Sequence, residues 1–103
     1  MILGKDVRPK KWSDVQDLFD DGVNSFIVGY YEDLDDDCIG IRWDGDKNDR
    51  KNLGFPRHGN YPTWFVLPKM LNKQILRILK EQVTKNPSFG NLTNIESALK
   101  RLS

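Results

Sequence analysis

The stretch NSFIVGYYEDLDDDCIGIRW, from Asn24 to Trp43, predicts two strands joined by an acidic turn. Its first part, NSFIVGYY, is rich in β-branched and aromatic residues, which favour strands. In its last part, Ile39, Ile41 and Trp43 alternate onto one face, as in a half-buried strand. Five of the six residues from Glu32 to Asp37 are acidic. The stretch therefore predicts a hairpin with concentrated negative charge at its turn.

A helix is predicted before this hairpin, over residues 13–21. Ser13 would be its N-cap, Gln16 would complete a capping box, and Gly22 would end it. Apolar residues at helical spacing would form its buried face. The opposite face would hold four aspartates: Asp14, Asp17, Asp20 and Asp21.

The C-terminal half predicts a short strand and two more helices. The segment TWFVL, 63–67, lacks alternation and predicts a strand buried on both faces. Pro68 would then open a helix at its first position, with an apolar face formed by Leu71, Ile75, Ile78, Leu79 and Val83. A last helix would start at Thr93, with Glu96 completing a capping box, and would bury Ile95, Leu99 and Leu102.

This order of elements predicts a single α+β domain over residues 1–103, with a small, largely antiparallel sheet covered by helices on one face. Residues 44–62 predict a long loop, and such loops are often functional. Residues 1–7 are a candidate edge strand. No apolar run approaches the length of a membrane helix, and the N-terminus lacks the apolar region of a signal peptide. Cys38 is the only cysteine, so a reducing cytoplasm is expected.

Charge is distributed unevenly along the chain, although the net charge is only +1. From Trp12 to Asp49 there are twelve acids and two bases, and from Arg50 onward there are ten bases and two acids. Surfaces of this kind steer charged partners. The alternative is that the two halves face each other within the molecule.

Patterns that would indicate catalysis or metal binding are incomplete. A calcium-type loop begins at Asp44, but Asp49 stands where it needs Gly and Phe55 where it needs Glu. Cys38 with His58 as its base, beside Arg42, is the one candidate catalytic group. A lone Cys in a strand is more often a small buried apolar residue. We therefore expect no catalytic residue, no metal and no cofactor.

A second class of partner is nucleic acid. The predicted helix over 69–83 would present a basic stripe to phosphates, formed by Lys69, Lys73, Arg77 and Lys80. Phe55, His58, Tyr61 and Trp64 could stack on bases. A pI near 7.8 lies below the range typical of dedicated nucleic-acid binders. This interpretation is therefore the alternative.

One sequence pattern resembles that of a group of small bacterial proteins of uncharacterised function. It runs as an Arg-Trp strand, a Gly-aromatic-Pro loop and a Trp-Phe-x-Leu-Pro strand. It matches here at Arg42, Trp43, Gly54, Phe55, Pro56, Pro62, Trp64, Phe65, Leu67 and Pro68. Size, charge pattern and lack of catalytic chemistry also resemble the immunity proteins of bacterial toxin systems, including contact-dependent inhibition. The second resemblance is one of type and carries no motif.

These observations favour a binding protein that inhibits a basic protein, such as a nuclease toxin, without catalysis. Carboxylates would occupy a cationic cleft in place of phosphates, and Tyr30 or Tyr31 would anchor the contact. The main contact would come from Glu32, Asp33, Asp35, Asp36 and Asp37. The flanking contacts would come from Asp14, Asp17, Asp20, Asp21, Asp44 and Asp46. Oligomeric state is not predicted by any pattern in the chain.

Overall fold

The computed structural model describes residues 11–45, 54–58 and 61–102. The candidate edge strand over residues 1–7 lies outside the described residues. So does Asp46.

Within the described residues, six strands, three of them long, form two antiparallel sheets. They are β1 (Trp12–Asp20), β2 (Asn24–Tyr31), β3 (Asp36–Trp43), β4 (Arg57–His58), β5 (Tyr61–Pro62) and β6 (Phe65–Val66). The larger sheet has the order β1-β2-β3-β6, and β4 pairs with β5 in a small hairpin. The predicted long loop over 44–62 therefore contains two short strands in its described part.

Two helices follow the strands, α1 (Asn72–Lys85) and α2 (Leu92–Arg101). Short 3-10 turns lie at Glu32–Leu34, at Lys69–Leu71 and at Pro87–Phe89. A four-stranded antiparallel sheet with helices on one side is the α+β domain that the sequence predicts, and this prediction is confirmed.

The β2–β3 hairpin is also confirmed. Its register is regular from Asn24 opposite Trp43 to Tyr31 opposite Asp36, and the acidic turn closes it. Because β3 has no bulge, its residues alternate strictly between the two faces of the sheet. Ile39 contacts the helices, whereas Cys38 lies on the other face.

The predicted helix over residues 13–21 is wrong, because this segment forms β1. Two irregularities in its pairing with β2 interrupt the alternation, one between Ser13 and Gln16 and one between Asp17 and Phe19. The second lets the consecutive Leu18 and Phe19 both join the core under the helices. Bulged strands thus imitate the spacing of a helical face. The repeated Asp residues argue against a helix here, because Asp is a poor residue for helix interiors.

Both faces of the sheet are covered by apolar side chains. Beneath the helices, Leu18, Val28 and Ile39 pack against Leu76, Leu79, Val83, Ile95 and Ala98. On the opposite face Trp12, Ile27, Cys38 and Trp64 form a second cluster. Gly40 makes room for it, since a Cβ there would lie 3.1 Å from both Trp12 and Trp64.

The helices differ from their predicted boundaries and faces. Pro68 precedes a 3-10 turn, and α1 begins only at Asn72. The buried face also differs from the predicted one. Leu79 and Val83 are buried as predicted, together with Asn72 and Leu76, whereas Ile78 is 53% exposed.

Helix α2 begins earlier than predicted. Its N-cap is Asn91, whose side chain accepts a hydrogen bond of 3.0 Å from Asn94 N–H, so Thr93 is not the cap. Ile95 is buried as predicted, and Leu99 and Leu102 pack at the margin of the core.

The segment around α2 also covers the outer edge of β1. Asn91 N–H donates to the carbonyl of Leu18 at 3.2 Å, and the Asn94 side chain donates to that of Asp17 at 2.9 Å. The Arg101 guanidinium donates to the carbonyl of Asp14 at 3.0 Å. These bonds occupy backbone acceptors that would otherwise invite another strand.

Candidate functional site

The acidic turn, residues 32–37, is a compact and ordered structure at one end of the β2–β3 hairpin. Glu32–Leu34 form a 3-10 turn, and Asp35 follows in the left-handed region at φ 49°. Asp is among the residues that tolerate this conformation. Glu32 N–H donates to the carbonyl of Lys11 at 2.9 Å, which ties the turn to the start of β1.

Two carboxylates of the turn are paired with lysines. Lys11 Nζ lies 2.8 Å from Asp33 Oδ2, and Lys69 Nζ donates to Asp36 Oδ2. The hydrogen bond from each lysine lowers the pKa of its partner, Asp33 or Asp36, below the usual value. The acidic run is therefore partly neutralised within the molecule.

A third pair joins the turn to the last helix. Arg101 Nη2 lies 2.7 Å from Asp37 Oδ1, and both side chains are partly buried. The two charged halves of the sequence thus meet at Asp36 and Asp37. This is the alternative in which the acidic and basic halves face each other within the molecule. Asp37 then has a structural role.

The remaining part of the turn faces solvent. Glu32 and Asp35 make no ion pair in the part of the chain that the structure describes, and the Tyr30 hydroxyl donates to Asp35. Leu34 is 59% exposed between them. Tyr31 donates its hydroxyl to Asp33 at 3.2 Å and packs against Trp12 with ring centroids 5.0 Å apart. The solvent-facing part of the turn therefore combines exposed carboxylates with one exposed apolar side chain.

The flanking aspartates do not form the predicted acidic face. Asp14 and Asp17 are exposed on β1, whereas Asp20 and Asp21 build the β1–β2 turn. Asp20 Oδ1 accepts from Gly22 N–H at 2.9 Å, and Asp21 Oδ1 accepts from Asn24 N–H at 2.8 Å. This turn lies at the opposite end of β2 from the acidic turn. The expectation that Asp20 and Asp21 flank the main contact is therefore wrong.

The prediction that Asp44 contacts a partner is also wrong, because its side chain is completely buried. Ser25 Oγ donates to its Oδ1 at 2.5 Å, and its own N–H donates to the carbonyl of Val23 at 2.8 Å. It cannot contact a partner from the loop as expected.

A buried polar cluster surrounds Asp44, and sequence reasoning missed it. Arg42 is 1% exposed, lies 5.9 Å from the centre of the Trp64 ring, and donates to the carbonyl of Thr63 at 3.1 Å. Ser25 pairs with Arg42 across the strands. The available signal was strand alternation: if Ile41 and Trp43 share one face, Arg42 must lie on the other.

The carboxyl group of Asp44 interacts with that of Asp20, which also belongs to this cluster. Burial and the neighbouring Asp20 carboxyl raise the pKa of Asp44 from 3.8 to about 7, against the opposing effects of Ser25 and Arg42. Burial also lowers the pKa of Arg42. Like charges in a shared site favour retention of one proton.

Three exposed aromatic residues form an aromatic strip: Trp43, Phe55 and Phe65. Their exposed fractions are 40%, 66% and 54%. Phe55 bridges Trp43, and Phe65 lies opposite Ile41, so the strip lies on the side of the sheet that carries the helices. The prediction that the strand over 63–67 is buried on both faces is wrong, because Phe65 is exposed. Ile39, Ile41 and Trp43 share one face of the sheet as predicted, and Trp43 is exposed on that face.

The basic stripe on α1 is partly paired. Lys69 contacts Asp36, and Lys80 lies 3.5 Å from Glu96. Lys73 and Arg77 are exposed and form no ion pair within the described residues.

Cys38 is poorly suited to nucleophilic catalysis. It is 7% exposed, and burial raises the pKa of its thiol. A raised pKa reduces the thiolate fraction that would react. Among residues 11–45, 54–58 and 61–102, no three acidic, His or Cys side chains converge as a metal site. The helices in these ranges include none with the length and apolar content needed to cross a bilayer.

Comparisons with protein-family models, with curated proteins and with solved structures gave no match for this chain.

Proposed function

We propose that this chain is a cytoplasmic, non-catalytic binding protein that inhibits a basic protein by occupying its cationic cleft. The partner class is a bacterial toxin of the nuclease type, so the chain would act as an immunity protein, as in contact-dependent growth inhibition. The observation that carries the proposal is the solvent-facing part of the acidic turn, where the exposed Glu32, Asp33 and Asp35 are neighbours in sequence of the exposed Leu34.

An exposed apolar side chain next to exposed carboxylates in one turn suits such a contact. Interfaces gain most of their affinity from a few apolar or aromatic anchors, whereas charges provide steering and specificity. The turn is held by Tyr30, Tyr31 and Lys11 before any partner arrives. A preordered turn loses little conformational entropy on binding.

The internal lysine pairs do not block this use of the turn. The side chains of Lys11 and Lys69 are 59% and 72% exposed. Ion pairs this exposed contribute little to stability. An arginine or lysine of a partner can therefore replace either one.

The test is capture of a partner from the native host's lysate, with zero-length carboxyl-to-amine crosslinking and mass spectrometry. One bait is the wild type, and the other carries Glu32→Gln, Asp33→Asn and Asp35→Asn. These changes leave Asp36 and Asp37, with their partners Lys69 and Arg101, intact. We expect a basic protein crosslinked at Glu32, Asp33 or Asp35 and lost with the variant.

The matched control is Glu81→Gln with Glu96→Gln, which removes exposed carboxylates from the two helices. This control should retain the partner. Equal capture by all three baits, or crosslinks confined to the helices, would contradict the proposal.

The alternative function is binding of single-stranded nucleic acid or a ribosomal surface by the basic helix. One observation favours it: the aromatic strip and α1 lie on the same side of the sheet. Exposed rings can stack on bases, while Lys73 and Arg77 contact phosphates. Fluorescence anisotropy with a labelled RNA oligonucleotide tests it. Salt-dependent binding that Lys73→Gln with Arg77→Gln abolishes, and the acidic-turn variant leaves intact, would favour this alternative.

A further inference from the structure

Within the described residues, the buried cluster at the far end of the hairpin contains one cation, Arg42, and two carboxyl groups, Asp20 and Asp44. Of the described residues, the charged groups that act on Asp44 are Asp20 from β1 and Arg42 from β3. Ser25 from β2 contributes only a hydroxyl, which donates to Asp44 Oδ1. The described residues of the segment that packs above, Gly54 and Phe55, carry no charge. Two ionised carboxylates would therefore leave an excess negative charge in a buried site.

The second oxygen of Asp44 supports a bound proton. Asp44 is 0% exposed, and its Oδ2 has no hydrogen-bond donor within the described residues. An ionised oxygen buried in this way loses its hydration without replacement. A protonated Asp44 carboxyl can instead donate to the Asp20 carboxylate, and the site then balances the charge of Arg42.

The segment Gly54–Phe55, the strap, is held on this cluster. Trp43 N–H donates to the Phe55 carbonyl at 2.7 Å, and Phe55 N–H donates to the Trp43 carbonyl at 2.9 Å. A Cβ on Gly54 would lie only 2.6 Å from Arg42 Nη2 and 2.8 Å from the Asp44 carbonyl carbon. The strap therefore lies against the Arg42 guanidinium and the backbone of Asp44.

We propose that Asp20 and Asp44 share one proton, and that this proton latches the strap onto β3. Loss of the proton leaves two like charges beneath the strap, which separates from Trp43 and admits water to them. The latch thus closes on acidification and loosens toward neutral pH. The latch would control the position of the aromatic strip. Two residues of the strip, Trp43 and Phe55, are the ones whose backbones bond to each other when the strap is closed.

The direction of the pH effect follows from linkage. The folded site holds its proton with a pKa of Asp44 raised to about 7, whereas an opened, hydrated site would lose it near the ordinary pKa of about 4. Between these values the closed state binds more protons than the open state. Its stability therefore falls as pH rises through this window and levels off above it.

The test combines two NMR measurements on the whole chain. The ¹³C shifts of the Asp side-chain carboxyls report titration, and amide hydrogen exchange at Trp43 and Phe55 reports opening of the strap. We expect a carboxyl of the pair to titrate near neutral pH. Protection of both amides, corrected for intrinsic exchange, should fall by up to tenfold per pH unit between about pH 5 and pH 7.

The variant Asp44→Asn is the matched control. Its amide can still accept from Ser25 and can donate permanently to Asp20, so strap protection should no longer depend on pH. The amide of Ile95, bonded to Asn91 in α2, should show no such dependence in either protein. Titration of both carboxyls near pH 4, or pH-independent strap protection in the wild type, would overturn the proposal. These wild-type readings decide the matter even if the variant does not fold.

Discussion

Gly54 is the residue at which the backbone has least freedom to accept a side chain. Its φ is +79°, and an added Cβ would lie 1.9 Å from the Trp43 carbonyl oxygen. Gly22 has a similar φ of +86°, but a Cβ there would meet nothing within 4 Å. An added Cβ at Gly22 would therefore cause backbone strain alone, whereas one at Gly54 would cause both strain and a steric clash.

We expect Gly22→Ala to lower the free energy of unfolding by about 1 kcal/mol, the usual cost of a left-handed residue with a Cβ. Gly54→Ala should cost at least about twice as much, because the strap must also move away from Trp43. Urea denaturation followed by tryptophan fluorescence measures both. Equal losses would show that the strap is not held tightly at this position.

Arg42 is the residue on which the buried cluster depends for charge balance. Arg42→Met fills much of the same volume but removes the one cation that the described residues supply to the Asp20–Asp44 pair. Loss of one partner from a buried charged group costs about 3–5 kcal/mol. Arg77→Met, on the exposed side of α1, is the control and should leave stability nearly unchanged. A small effect of Arg42→Met in thermal or urea unfolding would contradict the assigned role.

At the scale of elements, the start of α2 has two candidate N-cap residues. Both Asn91 and Thr93 have cap-forming side chains, but only Asn91 accepts the bond from Asn94 N–H. We expect Asn91→Ala to lower the free energy of unfolding by about 1 kcal/mol and Thr93→Ala to cost much less. The reverse order in urea denaturation would place the start of the helix at Thr93 after all.

The elements differ in how well local sequence predicts them. The β2–β3 hairpin is predictable because its alternation is unbroken and its register is regular. Strand β1 is not, because its two irregularities place Leu18 and Phe19 in one core and so produce helical spacing. No local rule gives the positions of such bulges, since contacts with β2 and α2 determine them.

At the scale of the whole molecule, the acidic turn was predicted but its intramolecular partners were not. Lys11, Lys69 and Arg101 lie 22, 33 and 64 positions from the acids that they contact. Only the tertiary fold brings such distant residues together. The buried cluster was missed for a related reason: Asp20, Ser25 and Arg42 come from three strands, and Asp44 follows the third.

The lysine pairs of the acidic turn imply a competition between internal and external cations. If a basic partner uses Asp33, it must first displace Lys11, and if it extends to Asp36 it must also displace Lys69. Lys11→Gln with Lys69→Gln removes both competitors and makes the turn more negative. We therefore expect faster association with a captured basic partner, by roughly two- to fivefold, since exposed pairs are individually weak.

Surface plasmon resonance at two ionic strengths measures this effect, and the gain should shrink at high salt because screening weakens exposed charges. Lys85→Gln is the matched control: it removes one lysine that pairs with Glu81 on α1 and should change association little. Slower association of the double variant would mean that the lysines themselves contact the partner. The acidic turn would then act as their support, and the partner would bind through cations of this chain.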